Sequence, residues 1–193
     1  VEHQVRVSKG DILDASDIEI GDSLFDLELH MIGRKIEEHA WIARAEVERS
    51  FPDQVVIRVV EREARAIIDL DYLYYVDRAG EVFKMLDAGD ELDYPVITGI
   101  DRQYLLDNPD KTQDSVNLAL QLMDALESRT LFNLDHISEI HFEEQEGLVM
   151  HTRIGGVPVR MGKQGFGTKL NRLESIYDDL EPRLMALKYI DLN

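Results

Sequence analysis

The sequence predicts an α+β protein of two domains, residues 1–65 and 66–193, on three observations. Apolar residues first recur at helical spacing and then alternate with polar residues, which is typical of helices followed by strands. After Ala66 the chain changes to short strand-like runs separated by turns, which favours a second α+β domain with a mostly antiparallel sheet. A hydrophobic content of 44% over 193 residues is enough for two cores.

The first domain is predicted to have the element order β-α-α-β-β, with its helices on one face of a small three-stranded sheet. Leu29, Ile32 and Ile36 recur at helical spacing, and Val55 and Ile57 lie on one face of an alternating run. The predicted elements are a strand at 3–8, a turn at 9–11, a helical turn at 15–20, a helix at 24–40 and a hairpin of strands at 43–47 and 55–59.

The second domain is predicted to contain two long helices and several short strands. Gly155 and Gly156 can supply the positive backbone angles of a tight turn within a meander, and Thr168 is a candidate N-cap for the last helix. Pro182 is expected to end or kink that helix. The predicted elements are strands at 72–77 and 81–85, a helix at 114–128, a meander at 138–144, 147–153 and 157–161, a helix at 168–187 and the start of a strand at 188–193.

The charge balance excludes several classes of partner. Lys and Arg total 21 against 39 Asp and Glu, which gives a formal net charge of −18. Such a chain repels nucleic acid and anionic membrane surfaces.

The sequence has no Cys, and no run approaches the roughly 20 apolar residues of a membrane helix. Because it opens at Val1, directly into a strand-like run, we expect a segment to precede it.

The sequence contains no complete motif for catalysis, cofactor binding or metal binding. The glycine-rich segment 162–167 precedes a helix but lacks the ending and spacing of a phosphate-binding loop. His136, His141 and His151 lie in neighbouring predicted strands without the spacing of a zinc site, so we expect no metal there. Adjacent carboxylates diverge, and there is no nucleophile elbow or triad. The sequence therefore predicts a protein that is not an enzyme and has no cofactor.

Trp41 is the single tryptophan and lies where a predicted helix passes into a strand. An aromatic residue at such a junction is more often part of the core than a platform for a ligand. Ile57 and Val59 lie on the apolar face of the second hairpin strand. We therefore expect all three side chains to be buried.

Motifs in both domains resemble the FtsQ/DivIB family. Gly21, Leu24 and Phe25 match the pattern G-x-x-L-F of its POTRA domain, and Trp41 and Pro52 lie in a segment similar to P-W-V-x-x-A-x-V-x-R-x-W-P. Later segments resemble V-x-E-R-x-P-x-A, V-D-x-x-G-x-V-F, L-P-x-I-x-G and a closing I-D-L-R. The matching segments are 20–25, 36–37, 40–52, 59–66, 75–83, 94–99 and 189–193.

Four positions depart from the family pattern. Ala40 and Ala64 stand where the family usually has proline, and Phe51 stands where it has tryptophan; all three changes are conservative for packing. Asn193 replaces the arginine that usually follows Asp-Leu. An ion pair between that arginine and a partner is therefore not expected in this chain.

The resemblance implies a single-pass inner-membrane protein, anchored by an N-terminal helix absent from this sequence. Its POTRA and β domains are expected on the periplasmic side at the division septum. There it would act as a non-enzymatic scaffold that links early division proteins to the FtsB/FtsL pair and to septal peptidoglycan synthesis. The chain ends at Asn193, where the family continues its last strand. A chain about ten residues longer, the length of a strand and its turn, is expected to bind more tightly.

The predicted partner-binding edge lies at the end of the chain, beside the helix at 168–187. A strand there can accept a partner strand through backbone hydrogen bonds, and the hairpin of the first domain offers a second edge. Its predicted residues are Tyr189, Ile190, Asp191, Leu192 and Asn193.

Two other readings remain open. One is a POTRA-containing outer-membrane assembly or secretion component, which would be expected to repeat the POTRA unit, whereas this sequence carries one copy. The other is an extracytoplasmic enzyme, for which no site is found.

Overall fold

The computed structural model describes residues 6–90 and 93–193. The chain divides into two compact units, Val1–Glu63 and Ala64–Asn193. Each has its own hydrophobic core. Within the described residues the two units have separate sheets, with two strands in the first unit and eight in the second. The sequence-based division at 65/66 falls slightly later, because residues 64 and 65 begin the first strand of the second unit.

The first unit contains two helices and a β-hairpin. Strands β1 and β2 pair antiparallel, with Val47 opposite Ile57, which confirms the predicted hairpin. Ile57 and Val59 are buried in a core with Ile32 and Ile36 of the second helix, as predicted. The elements are α1 (Lys9–Ser16), α2 (Leu29–Glu37), β1 (Ile42–Ser50) and β2 (Gln54–Glu61).

The N-terminal elements differ from the prediction in two places. The expected turn at 9–11 is the first turn of α1, because Ser8 and Asp11 form a capping box that satisfies the free backbone N–H groups there. Helix α2 begins only at Leu29. Of the strand predicted at 3–8, residues 3–5 lie outside the described residues, and residues 6–8 are not in a strand because Ser8 caps α1. The described part of this unit therefore holds two of the three expected strands.

The part of the second unit that the structure describes is an eight-stranded mixed sheet with helices packed against it. The strand order is β10-β9-β8-β7-β6-β3-β4-β5. Four neighbouring pairs are antiparallel and three are parallel. The strands are β3 (Ala64–Asp69), β4 (Leu73–Asp77), β5 (Val82–Met85), β6 (Val96–Thr98), β7 (Ile137–Glu143), β8 (Gly147–Thr152), β9 (Pro158–Gly162) and β10 (Ile190–Asp191). The helices are α3 (Arg102–Asp107), α4 (Pro109–Glu127), α5 (Phe166–Glu174) and α6 (Tyr177–Leu180), with 3-10 turns at Leu134–His136 and Glu181–Ala186.

One face of this sheet forms the core. Leu122 and Met123 of α4 and Leu170 of α5 are fully buried in one cluster with Ile97 and Ile140 of the strands. The meander β7-β8-β9 is confirmed, and Gly155 and Gly156 have positive φ between β8 and β9. Along β7 and β8, residues of the opposite face alternate with these core residues.

The predicted helix at 168–187 is wrong. Helix α5 begins earlier, after an N-cap at Gly165 rather than Thr168, and ends at Glu174. Tyr177 begins the separate helix α6, and Pro182 lies in the first turn of a 3-10 helix. Helix α4 begins at Pro109, earlier than the predicted start at residue 114, since proline is well tolerated at the first helical position.

An ion-pair cluster joins β3 to α4. The Arg65 guanidinium donates to Glu127 at 2.8 and 3.1 Å and to Asp124 at 2.9 Å. The hydrogen bond from Arg65, reinforced by its charge, lowers the pKa of Glu127. The stabilisation is therefore present above the ordinary glutamate pKa of 4.5 and is lost as the pH falls through the lowered value.

We expect Glu127→Gln to reduce stability near neutral pH by about 1 kcal/mol or less, because the carboxylate is half exposed. The difference from the unmodified chain should shrink as the pH falls through the lowered pKa of Glu127, because the carboxylate then becomes protonated in both the folded and the unfolded state. Urea unfolding at a series of pH values measures it. Glu146→Gln, at an exposed position without a described partner, is the control and should show no such trend. A difference that persists in acid would contradict the ion-pair explanation.

Candidate partner-binding edge

Strand β10 forms one edge of the large sheet. It runs parallel to β9, with Ile190 opposite Val159 and Asp191 opposite Arg160. The Leu192 N–H donates to the Arg160 carbonyl at 3.1 Å, so the backbone of Leu192 faces β9. Because successive strand residues turn their N–H and C=O groups to opposite sides, those of Asp191 face outward. In residues 6–90 and 93–193, no strand pairs with this outer side.

The segment is fixed to the sheet by one apolar anchor and two cations of α5. Leu192 is only 8% exposed and belongs to the core. Arg172 Nη2 donates to the Leu192 carbonyl at 3.0 Å. Lys169 Nζ donates to Asn193 Oδ1 at 3.1 Å and to the Met161 carbonyl at 2.9 Å. The helix beside the predicted edge is therefore α5. Among the described contacts, no other part of the predicted helix at 168–187 bonds directly to the edge.

The glycine-rich segment ahead of α5 makes room for this edge. Gly162 has a positive φ of 64°, and a Cβ at this position would overlap the Asn193 side chain. Gly165, also in the left-handed region, caps α5. Close packing therefore requires glycine at 162, and the left-handed backbone conformation favours glycine at 165.

The outward side of the edge already makes one local contact. The Asp191 carboxylate accepts a hydrogen bond from the Asn193 N–H at 3.0 Å. Asn193 lies two residues after Asp191, so its N–H faces the same side. A strand that adds to β10 would replace this side-chain contact with a backbone hydrogen bond.

An open groove lies on the sheet face beside β10. Tyr189, which is 55% exposed, lies at its border with its ring 5.2 Å from the Arg160 guanidinium. Arg160 also lies 3.9 Å from the Asp191 carboxylate. The groove has a volume of about 470 Å³ and is lined by Glu139, His141, Glu143, Val149, His151, Pro158, Arg160, Lys188 and Tyr189.

Two of the three singled-out histidines meet in this groove. Glu139 lies 3.8 Å from the Nδ1 atoms of both His141 and His151. Thr98 Oγ1 lies 2.6 Å from the Glu139 carboxylate and 2.7 Å from His141 Nδ1. The Nδ1 atom of His151 is buried and has no hydrogen-bond partner in the described residues. The groove thus offers a polar floor of carboxylate, imidazole and hydroxyl groups.

The third histidine lies elsewhere. His136 stacks on Phe132 at 5.5 Å between ring centroids and meets the Tyr177 ring edge-on. Within 6–90 and 93–193 there is no group of three His, Cys, Asp or Glu residues that could hold a metal ion. The described helices also include none that is long and apolar enough to cross a membrane.

The prediction that Trp41 is buried is met in part, since the residue is partly buried. Its ring packs against the core of the first unit on one side. The Arg6 guanidinium lies 4.5 Å from the ring centroid, in cation–π geometry.

Comparison with known proteins covers both units. Residues 1–62 match the FtsQ-type POTRA domain, and residues 64–193 match the C-terminal domain of cell division protein FtsQ/DivIB. The chain is 47% identical over its full length to cell division protein FtsQ of Syntrophotalea carbinolica and covers 68% of that protein.

Two further relatives extend the comparison. Cell division protein FtsQ of Geotalea daltonii is 39% identical over 97% of this chain and 68% of its own length. Cell division protein DivIB of Bacillus subtilis is 25% identical over 97% of this chain and 68% of its own length. Because the matches run through both units in order, the chain belongs to the FtsQ/DivIB family of cell division proteins.

Proposed function

We propose that this chain acts in cell division as a non-enzymatic scaffold that links early division proteins to the FtsB/FtsL pair. Through that pair it would connect to septal peptidoglycan synthesis by protein–protein binding. The observation that carries the proposal is the outer edge of β10, where Asp191 turns its backbone groups outward beside an open groove. The family's association with division supplies the setting.

The proposed binding mode is addition of a partner strand to β10, at the residues Tyr189 to Asn193. The backbone groups of Asp191 would pair with the partner, since an edge strand is a template for a further strand. Side chains on one face of the added strand would then lie beside Tyr189 and Arg160, over the groove. The backbone supplies affinity in this mode, and the groove supplies specificity.

The proposed location is the periplasmic side of the inner membrane at the division septum. In this proposal an N-terminal helix outside the present sequence anchors the protein in the membrane. The net charge of −18 disfavours nucleic acid and anionic lipid headgroups as partners of the folded units, which supports a protein partner. No cofactor is part of the proposal.

Asp191→Pro tests the binding mode directly. Proline removes the outward N–H, and its ring obstructs an incoming strand, while the N–H of Leu192 that faces β9 is retained. We expect the extracytoplasmic segment of FtsB to bind this variant about 30-fold or more weakly, equivalent to a loss of ~2 kcal/mol. Isothermal titration calorimetry measures the affinities.

Two variants serve as controls. Asp191→Ala removes the carboxylate but keeps the N–H, so it should bind within about threefold of the unmodified chain, in line with a solvent-exposed contact. Met85→Pro makes the same kind of change on β5, the opposite edge of the sheet, where the neighbouring Leu86 N–H faces β4. Equal weakening by both proline variants, or none by Asp191→Pro, would place the partner elsewhere.

A further inference from the structure

Two exposed phenylalanines form a pair on the first unit, remote in sequence from β10. Phe25 is 78% exposed and Phe51 is 66% exposed. Their ring centroids are 6.0 Å apart, with the rings tilted by 41°. Two large apolar side chains that meet while both remain in solvent are unusual on a surface, and adjoining exposed apolar groups mark interaction sites.

The pair is held in place by Arg49 of β1. The Arg49 side chain donates from Nε to the Leu24 carbonyl and from Nη2 to the Leu27 carbonyl, both at 2.6 Å. These bonds tie the segment that carries Phe25 to the strand that leads to Phe51. The Asp26 N–H also donates to the Ser23 carbonyl at 3.0 Å, which closes a turn around Phe25. A side chain on a tied turn loses little conformational entropy on binding.

The surroundings of the pair are acidic. Residues 17–28 contain five carboxylates and no Lys, Arg or His. Asp26 follows Phe25 directly, and Asp53 lies two residues after Phe51; both are exposed. The Arg49 guanidinium is the cation that the described hydrogen bonds place here, and it is already bound to two carbonyl groups. The carboxylates of the segment are Asp17, Glu19, Asp22, Asp26 and Glu28, of which Asp17 pairs with Lys35.

We infer that the Phe25–Phe51 pair is a docking surface for a cationic segment of a partner protein, in which apolar anchors alternate with arginine side chains. The anchors would cover the two rings. Arginine suits the site for two reasons: its guanidinium stacks on aromatic faces, and it pairs with carboxylates. A second copy of this acidic chain, or an anionic membrane, would meet charge repulsion at the same surface.

The probe for this surface is a short fluorescein-labelled peptide of alternating leucine and arginine. We expect it to bind the full chain with at least about tenfold higher affinity than a serine–arginine peptide, because serine offers no apolar anchor. A leucine–glutamate peptide should not bind. Fluorescence anisotropy at several salt concentrations gives the affinities, and ¹⁵N chemical-shift changes should centre on Phe25 and Phe51.

Two pairs of variants locate the binding. Phe25→Ser with Phe51→Ser should reduce affinity for the leucine–arginine peptide by about tenfold or more. Leu106→Ser with Ile154→Ser, two equally exposed apolar residues of the second unit, should leave it unchanged. Asp26→Asn with Asp53→Asn should weaken binding and flatten its salt dependence, whereas Asp178→Asn with Asp179→Asn should not.

Several outcomes would overturn the inference. The first is equal affinity for the serine–arginine and leucine–arginine peptides, which would show that the charge of the peptide alone accounts for binding. The second is loss of peptide binding in the Leu106 and Ile154 variant. Phenylalanine-dependent binding to phosphatidylcholine or phosphatidylglycerol vesicles would identify a membrane contact instead, and phenylalanine-dependent dimerisation in sedimentation would identify a second copy.

Discussion

Replacing Gly99 with alanine is expected to lower the free energy of unfolding of the second unit by about 4 kcal/mol. Gly99 follows β6 and has a positive φ of 84°, a region that side chains other than glycine rarely adopt. A Cβ there would also overlap the carbonyl oxygen of Phe142 and approach His141 Cε1 to 2.9 Å. Backbone strain and steric overlap therefore add.

Gly156→Ala separates the two contributions. Gly156 also has a positive φ, 59°, but an added Cβ would meet nothing within 4 Å. We expect this variant to lose only about 1 kcal/mol, the cost of the left-handed conformation alone. Urea unfolding followed by circular dichroism compares the two variants. Similar losses for both would show that the contact with Phe142 relaxes without cost.

The strands that the sequence predicts best are those exposed on one face. The hairpin β1-β2 alternates between more buried and more exposed residues, and it is present in the structure. The meander β7-β8-β9 is also present, although five of the six residues of β8 are buried. Strand β3 gave no such signal, because Ala66, Ile67 and Ile68 are all buried in a strand paired on both sides. A continuous apolar run does not by itself distinguish a central strand from a buried helix.

The failure of the predicted helix at 168–187 has a tertiary cause. The helical period continues through Ile176, yet Ile176 is exposed and the helix has ended. Tyr177 instead turns into the core, where its ring meets Phe132 at 5.2 Å between centroids. Packing against a residue distant in sequence thus overrides the local helical pattern. The periodicity of the sequence carries no information about such a contact.

The candidate edge could be predicted only in part. The resemblance supplied residues 189–193, but the parallel pairing with β9 depends on segments far apart in the chain. The Phe25–Phe51 contact was not predicted either, since it depends on the hydrogen bonds of Arg49 to two carbonyl groups in another segment. Motif positions in the sequence identify candidate residues, whereas only the structure shows which distant segments pair with one another.

Leu192 is the apolar anchor of the candidate edge. Leu192→Ala should destabilise the docked state of β10 by about 3 kcal/mol, because it removes a buried side chain from the core. Strand β10 pairs with β9 over two residues, and besides Leu192 the hydrogen bonds from Arg172 and Lys169 hold it in place. A loss of this size should make the docked segment open about 100-fold more often.

Hydrogen exchange of the Leu192 N–H measures that opening, since this group is bonded to the Arg160 carbonyl only while the segment is docked. We expect its exchange to quicken by about two orders of magnitude, with amides of α4 affected much less. Ile176→Ala, a similar truncation at an exposed position in the same unit, should leave the exchange unchanged.

Affinity for the FtsB segment should fall in Leu192→Ala and not in Ile176→Ala, because only a docked β10 presents the backbone of Asp191 as an edge. Unchanged exchange in Leu192→Ala would mean that the contacts of Arg172 and Lys169 suffice to hold the segment.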